Sequence, residues 1–185
     1  MEDDKMKILV PFAEGFEEIE AITIVDVLRR AGLKVDIVGL EDEIVVGRNG
    51  IKVLCDKTLN EVDEEEYDSI ILPGGNPGYK NLMSSEKLLE MLKRLGEKGK
   101  VLGAICASPI ILAKIGLLKE RKATCYPTLR NEIPNYVDER VVVDENIITS
   151  QGPATALEFS LEIVKILKPE IYEQIRKGLL SDKYG

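Results

Sequence analysis

The chain of 185 residues contains no histidine. That absence excludes Ser-His-Asp triads, Cys-His dyads, HExxH zinc sites and zinc deaminase sites, all of which need imidazole. Tryptophan is also missing, and aromatics make up only 5% of the residues, too few for a base-stacking platform. Cysteine is scarce: Cys55, Cys106 and Cys125 form no CxxC pair. An odd, sparse set suits a reducing compartment better than a disulfide framework. No apolar run approaches the ~18 residues of a membrane span, and the acidic start MEDDKMKILV lacks a signal-peptide core. The expectation is a cytoplasmic protein with no membrane partner. Basic residues are outnumbered 25 to 33, a net charge of −8 at pH 7, which argues against a nucleic-acid partner.

What the sequence does have is a sizeable apolar content, 44%, enough for the core of one domain spanning residues 1–185. Strand-like and helix-like stretches alternate from end to end. Lys7 to Pro11 (KILVP), Ser69 to Leu72 (SIIL) and Val101 to Ile105 read as buried strands, and Lys34 to Gly39 (KVDIVG) as a further strand. Residues 123 to 126 read as a further short strand. Helices are expected from about Glu17 to Ala31, Glu86 to Lys98, Ala107 to Ile115 and Thr155 to Leu167, with a shorter one after Pro169. Ile19, Ile22, Val25 and Leu28 mark the apolar side of the first helix, and Gly32 is a natural stop. Ser84 and Ser85 are suited to capping the second helix. Residues 44 to 54, around Gly47-Arg48-Asn49-Gly50, read as a β-hairpin, and 141 to 150 as a second one. Pro73-Gly74-Gly75-Asn76-Pro77-Gly78 is read as a break. The alternation predicts a flavodoxin-like, doubly wound α/β sandwich of three layers with a mostly parallel sheet. Such sheets bind ligands outside the carboxyl ends of their strands.

Three of those ends carry chemistry. The first strand runs into Glu14-Gly15-Phe16-Glu17-Glu18-Ile19-Glu20, another into Gly74-Gly75, and a third into Cys106-Ala107-Ser108. If the three strands are neighbours, an acidic helix start, a glycine turn and a thiol meet in one crevice. Cys106 sits between an apolar strand and an apolar helix. Small neighbours allow a sharp turn there, and Pro109 is tolerated in a helix's first turn. A thiol at such a helix start feels unpaired N–H groups that favour thiolate, yet a buried, inert cysteine fits the position equally well. The glycines free backbone N–H groups that could hold an oxyanion, or they merely relieve crowding. No Gly-Lys-Ser/Thr follows and no GxGxxG occurs, so neither a phosphate loop nor a dinucleotide is indicated. Glu17 and Glu20, like Glu14 and Glu18, share a helix side if the helix starts early enough, and capping alone could account for them. Glu20 follows Ile19 on the apolar side of the helix and precedes Ala21 and Ile22, so it is expected to point inward, where a buried carboxyl keeps its proton and can hydrogen-bond a thiolate. Without imidazole, such a carboxyl is the most plausible proton shuttle.

Taken together, Gly15-Phe16-Glu17-Glu18-Ile19-Glu20, Val25-Asp26-Val27-Leu28-Arg29-Arg30-Ala31-Gly32, Leu72-Pro73-Gly74-Gly75-Asn76, Ala104-Ile105-Cys106-Ala107 and Thr149-Ser150-Gln151-Gly152-Pro153 resemble the DJ-1/ThiJ/PfpI superfamily, most closely its DJ-1/ThiJ branch. The resemblance spans essentially the whole chain. It implies a flavodoxin-like fold, a homodimer and a nucleophile-elbow cysteine at Cys106. It further implies a glutamate at Glu20 hydrogen-bonded to that cysteine, and an oxyanion or substrate site formed by Gly74, Gly75, Ala107 and Tyr126. No metal or organic cofactor is implied.

The activity implied is that of a glyoxalase or deglycase acting on methylglyoxal, related dicarbonyls or early glycation adducts. The partner is then a small carbonyl compound or a glycated protein side chain. A redox-sensing chaperone that works through oxidation of Cys106 is the alternative. The superfamily's protease-like branch has histidine directly after the cysteine. Ala107 stands there in this chain, which counts against a peptidase. Tyr126-Pro127 matches a His-Pro pair of the DJ-1 branch, and a phenol can donate a hydrogen bond but is a poor base near neutral pH. Cys55 matches a second cysteine near the family's dimer interface, where a tolerated small hydrophobe is the simpler reading. Cys125 is given no role.

Overall fold

The computed structural model describes residues 6–181. Its centre is a seven-stranded sheet built from strands β1 (Lys7–Phe12), β2 (Lys34–Gly39), β5 (Lys57–Thr58), β6 (Ser69–Leu72), β7 (Leu102–Ile105), β8 (Val141–Asp144) and β9 (Ile147–Ser150). Their order is β5-β2-β1-β6-β7-β9-β8, parallel throughout except for β8, which runs antiparallel to β9 at one edge. Two further strands, β3 (Ile44–Val46) and β4 (Lys52–Leu54), form a separate antiparallel hairpin. The flavodoxin-like expectation and both hairpins are therefore met. β6 and β7 are buried at every position, as strands covered on both faces must be.

Alternation along β1 divides the core into two layers. Ile8, Val10 and Phe12 face α1 (Glu18–Arg30), α5 (Ala156–Leu167) and α6 (Pro169–Gly178). Leu9 faces the other layer, with α2 (Gly78–Met83), α3 (Glu86–Glu97) and α4 (Pro109–Lys114). On the first side Gly103 of β7 is a contact point. A Cβ there would lie 2.9 Å from Ile71 and 3.0 Å from the ring of Phe159, so its absence lets α5 pack directly on the sheet. Ser85 caps α3 by accepting from the Leu88 N–H at 3.3 Å, and α1 gives way to Gly32 at φ +73°. Among the described residues no helix is long and apolar enough to cross a membrane.

Several expectations need correction. Residues 123–126 do not form a strand: Ala123 makes one isolated parallel bridge to Tyr136. The next N–H groups go elsewhere, Thr124 to the Thr149 side chain at 2.9 Å and Tyr126 to the Cys106 carbonyl at 2.7 Å, and Pro127 has none to offer. A helix, α2, begins directly inside the segment read as a break, with Leu82 anchoring it in the core. The apolar side of α1 is not the expected one. Ala21, Ile24, Val25, Val27 and Leu28 are buried, whereas Ile19 and Ile22 are 58% and 42% exposed. α4 starts at Pro109, because Ala107 and Ser108 are spent on the turn after β7.

Candidate active site

β1, β6 and β7 are adjacent in the sheet, so the three chemistry-bearing strand ends converge. β7 ends at Ile105, and Cys106 follows at φ +65°, a left-handed conformation that is costly for a residue with a Cβ. The turn is held on several sides. The Cys106 N–H donates to the Ser150 carbonyl at 2.9 Å, the Tyr126 N–H donates to the Cys106 carbonyl, and the Ser108 hydroxyl donates to the Pro73 carbonyl. This is the geometry of a nucleophile elbow, in which a sharp strand-to-helix turn lifts one side chain above the sheet.

Glu20 lies in the first turn of α1 and is completely buried. Its Oε1 accepts from the Gly74 N–H at 3.0 Å, and its Oε2 is buried without a partner in hydrogen-bond geometry. The Cys106 thiol is the side chain that couples to this carboxyl. Burial, with the nearby Glu17 charge, pushes the Glu20 carboxyl up to about 8. Burial and the Glu20 carboxylate in turn push the Cys106 thiol up, against the pull of the Gly75 and Ala107 N–H groups. The part of that push owed to Glu20 exists only while Glu20 is ionised. A proton on Glu20 removes it and leaves the two N–H donors facing the sulfur. Each group is therefore a cause of the other's shift, and the pair titrates as a unit.

The glycines of the turn have separable duties. A Cβ on Gly74 would stand 2.5 Å from the Cys106 Cβ and 2.7 Å from Glu20 Oε1, so no other residue leaves room for the pair. Gly74 belongs to the expected oxyanion or substrate site, and its own N–H is directed at Glu20. Gly75 and Ala107 present N–H groups to the sulfur. Gly75 has φ +101°, and a Cβ there would lie 2.4 Å from the Glu17 nitrogen.

Above the pair opens a cleft of about 490 Å³, lined by Cys106, Gly75, Ala107 and Tyr126 together with Glu17, Arg48, Tyr79 and Leu129. Tyr126 is 44% exposed and its ring lies beside Gly152. Glu17 is the N-cap of α1, its Oε2 accepting from the Glu20 N–H at 3.0 Å. Glu14 is exposed and precedes the helix, so it shares no side with Glu18. The sequence assigns Glu18 no role beyond capping and places Arg48 only in a hairpin turn. Glu18 is buried, and its carboxylate accepts from the Asn49 N–H at 2.7 Å, the Asn49 side-chain amide at 2.9 Å and the Ile51 N–H at 3.5 Å. Burial works against its ionisation, but its own backbone N–H and these donors prevail and hold it below its ordinary value. The only available signal was the polar turn itself, whose N–H groups need acceptors. Cys55 and Cys125 lie outside the cleft lining, buried in opposite layers, and burial raises each to about 11. Among the described residues no group of three or more Cys, Asp or Glu is arranged to hold a metal ion.

Fold and site together define a flavodoxin-like α/β protein with a cysteine on a nucleophile elbow, paired with a buried carboxyl. The DJ-1/PfpI family model matches residues 6–166, and the chain belongs to that family. It is 45% identical over 163 residues to Protein DJ-1 homolog B of Arabidopsis thaliana, covering 86% of this chain and 37% of that one. The chain thus spans well under half the length of that relative. It is 40% identical over 181 residues to the glutathione-independent glyoxalase DJR-1.2 of Caenorhabditis elegans, covering 95% of this chain and 96% of that one. It is 35% identical over 167 residues to deglycase PfpI of Pyrococcus furiosus, covering 88% of this chain and 100% of that one. The solved structure of oxidized Toxoplasma gondii DJ-1 superposes with a TM-score of 0.91 at 42% identity, over 95% of this chain and 98% of that one.

Proposed function

We propose that the protein is a cysteine-dependent enzyme of the glyoxalase or deglycase type, acting without a cofactor on reactive dicarbonyls such as methylglyoxal or on early glycation adducts. Relatives bearing those activities in their names support the class. The observation that carries the mechanism is the buried, proton-retaining Glu20 beside Cys106 on its elbow. The thiolate of Cys106 adds to the aldehyde carbon and forms a hemithioacetal. N–H groups of Gly75 and Ala107 receive the developing oxyanion. Glu20 gives its proton to that oxyanion, and as a carboxylate it then takes the proton from the former aldehyde carbon and returns it to the neighbouring carbon, converting the adduct to a thioester. Water then releases a hydroxy acid, lactate in the case of methylglyoxal, and restores the thiol. Tyr126 borders the cleft, where its phenol can donate to the substrate.

The test is lactate formation from methylglyoxal by the wild-type protein, by Cys106→Ser and by Glu20→Gln. The serine variant is expected to be inactive, and the glutamine variant to lose about a hundredfold or more in kcat. Wild-type rates in both variants refute the mechanism. A redox-sensing role is the second reading, favoured by one observation: Cys106 lines this cleft, whereas Cys55 and Cys125 lie outside it. Ile19, Ile22, Ile44, Ile51 and Leu54, all exposed on α1 and the β3-β4 hairpin, support a homodimer formed through that face. Three unpaired thiols favour a reducing, cytoplasmic setting.

A further inference from the structure

The hairpin turn brings one full positive charge to the cleft. Arg48 lines it, and among the described residues the Arg48 guanidinium is assigned no ion pair and no hydrogen bond. Most arginines described here are otherwise engaged: Arg29, Arg30, Arg94, Arg121 and Arg140 each hold a carboxylate. The turn that carries Arg48 is fixed with unusual care. The Arg48 N–H donates to the Phe16 carbonyl at 2.9 Å, and the Gly15 N–H donates to the Val46 carbonyl at 2.9 Å. Glu18 accepts three hydrogen bonds from Asn49 and Ile51, and a Cβ on Gly47 would lie 2.2 Å from its carboxylate. The backbone is thus clamped on both sides of an arginine whose guanidinium has no hydrogen-bond or ion-pair partner among the described residues of this chain. Its charge reaches the reacting centre, where it favours the ionised form of Glu20.

A planar guanidinium held over a cleft without a partner is suited to a carboxylate in two-pronged contact. We propose that Arg48 is a specificity-determining residue, reading an anionic group at the end of the carbonyl substrate remote from the aldehyde, and that Glu18 is the positioning residue that holds it there. The substrate class is a 2-oxoaldehyde bearing a carboxylate. This rests on the carbonyl reading of the site given above. The chemistry balances as for methylglyoxal. Sulfur bonds to the aldehyde carbon, one proton moves to the adjacent carbon, and water displaces sulfur. The aldehyde carbon is oxidised at the expense of its neighbour, so no external oxidant enters.

The experiment compares 4,5-dioxopentanoate with its methyl ester, a near-isosteric pair that differs by one negative charge. The measured quantity is the ratio of their KM values within each variant, which cancels general damage to the site. In the wild type the acid is expected to have a KM about tenfold below that of the ester. Arg48→Gln is expected to bring the ratio close to one, and Arg48→Lys to keep part of it. Glu18→Ala is expected to move the ratio toward that of Arg48→Gln. Glu18→Gln, whose amide oxygen still accepts from the Asn49 N–H, retains most of it. A ratio near one in the wild type, or an equal ratio in wild type and Arg48→Gln, overturns the inference. Arg48 would then serve only to offset Glu17, and the carbonyl reading would stand on methylglyoxal turnover. If no carbonyl compound is turned over, that reading fails. The subsite is then judged by whether 2-hydroxypentanedioate slows alkylation of Cys106 in the wild type but not in Arg48→Gln. Protection lost with the arginine supports it, and no protection in either protein refutes it.

Discussion

Replacing Glu20 by glutamine should change how stability depends on pH, in a direction fixed by the burial of that side chain. Glutamine keeps an oxygen for the Gly74 N–H but cannot ionise. In the folded protein the Glu20 carboxyl is raised from its ordinary value of 4.5 to about 8, and it is fully excluded from solvent. A carboxyl raised in this way contributes stability that is complete below 4.5 and is lost as pH climbs toward 8. Between those values the folded state holds a proton that the unfolded state has released, so unfolding becomes easier with each pH unit. At ~1.4 kcal/mol per pH unit the whole interval is worth about 5 kcal/mol. The neighbouring acids Glu14, Glu17 and Glu18 raise the carboxyl in the unfolded chain as well and so lower this, and a change of about 2 to 5 kcal/mol is expected. The assay is urea unfolding of wild type and Glu20→Gln at pH 5 and pH 8.5. The difference in unfolding free energy between the two proteins should shift in favour of glutamine by that amount at the higher pH. A difference that is the same at both pH values would refute the claim that this carboxyl is buried in its protonated form.

Other consequences of the geometry are as direct. Gly74→Ala places a methyl group 2.5 Å from the Cys106 Cβ and 2.7 Å from Glu20 Oε1. It should destabilise the protein by about 1–3 kcal/mol and separate the pair, seen as a lowered melting temperature together with loss of lactate formation. Mild peroxide should add two oxygens at Cys106 and none at Cys55 or Cys125, which lie buried away from the cleft. Intact mass and peptide mapping check this. Leu54→Asp combined with Ile22→Asp places two charges on the exposed aliphatic face and should convert a dimer to a monomer in light scattering. An unchanged mass would remove that face from consideration.

Where a signal was local, the sequence carried it well. SIIL and LGAI are almost wholly apolar because β6 and β7 are covered on both sides, and the buried Ser69 hydroxyl donates to the Val101 carbonyl at 2.6 Å. The elbow was legible in Cys106 set between an apolar strand and Ala-Ser-Pro. Signals that depend on distant partners were not legible. α2 looks like a break because Pro77 and Gly78 open it, and its stability comes from burying Leu82 against a core that the segment does not itself contain. Residues 123–126 look like a strand, yet their N–H groups are claimed by Thr149, Asn135 and Cys106. Glu18 and Asn49 are 31 residues apart, and nothing near either one announces the other.

Glu20 shows how a correct placement can rest on a faulty premise. Its inward direction was inferred from its place beside Ile19 and Ile22, taken as the buried side of α1. Those two are in fact exposed, and the buried stripe runs through Glu20, Ala21, Ile24, Val27 and Leu28. α1 therefore has two apolar faces. One is required by the core, and it admits an acid at its first turn because Gly74 and Cys106 lie above that position. The other is not required by anything within a single chain. The exposed isoleucine pair belongs to the face proposed above for a homodimer. Apolar periodicity alone cannot separate these two causes. A carboxyl standing between them in the sequence is the element that does so, because only a face lined with hydrogen-bond donors and a thiol could accept it.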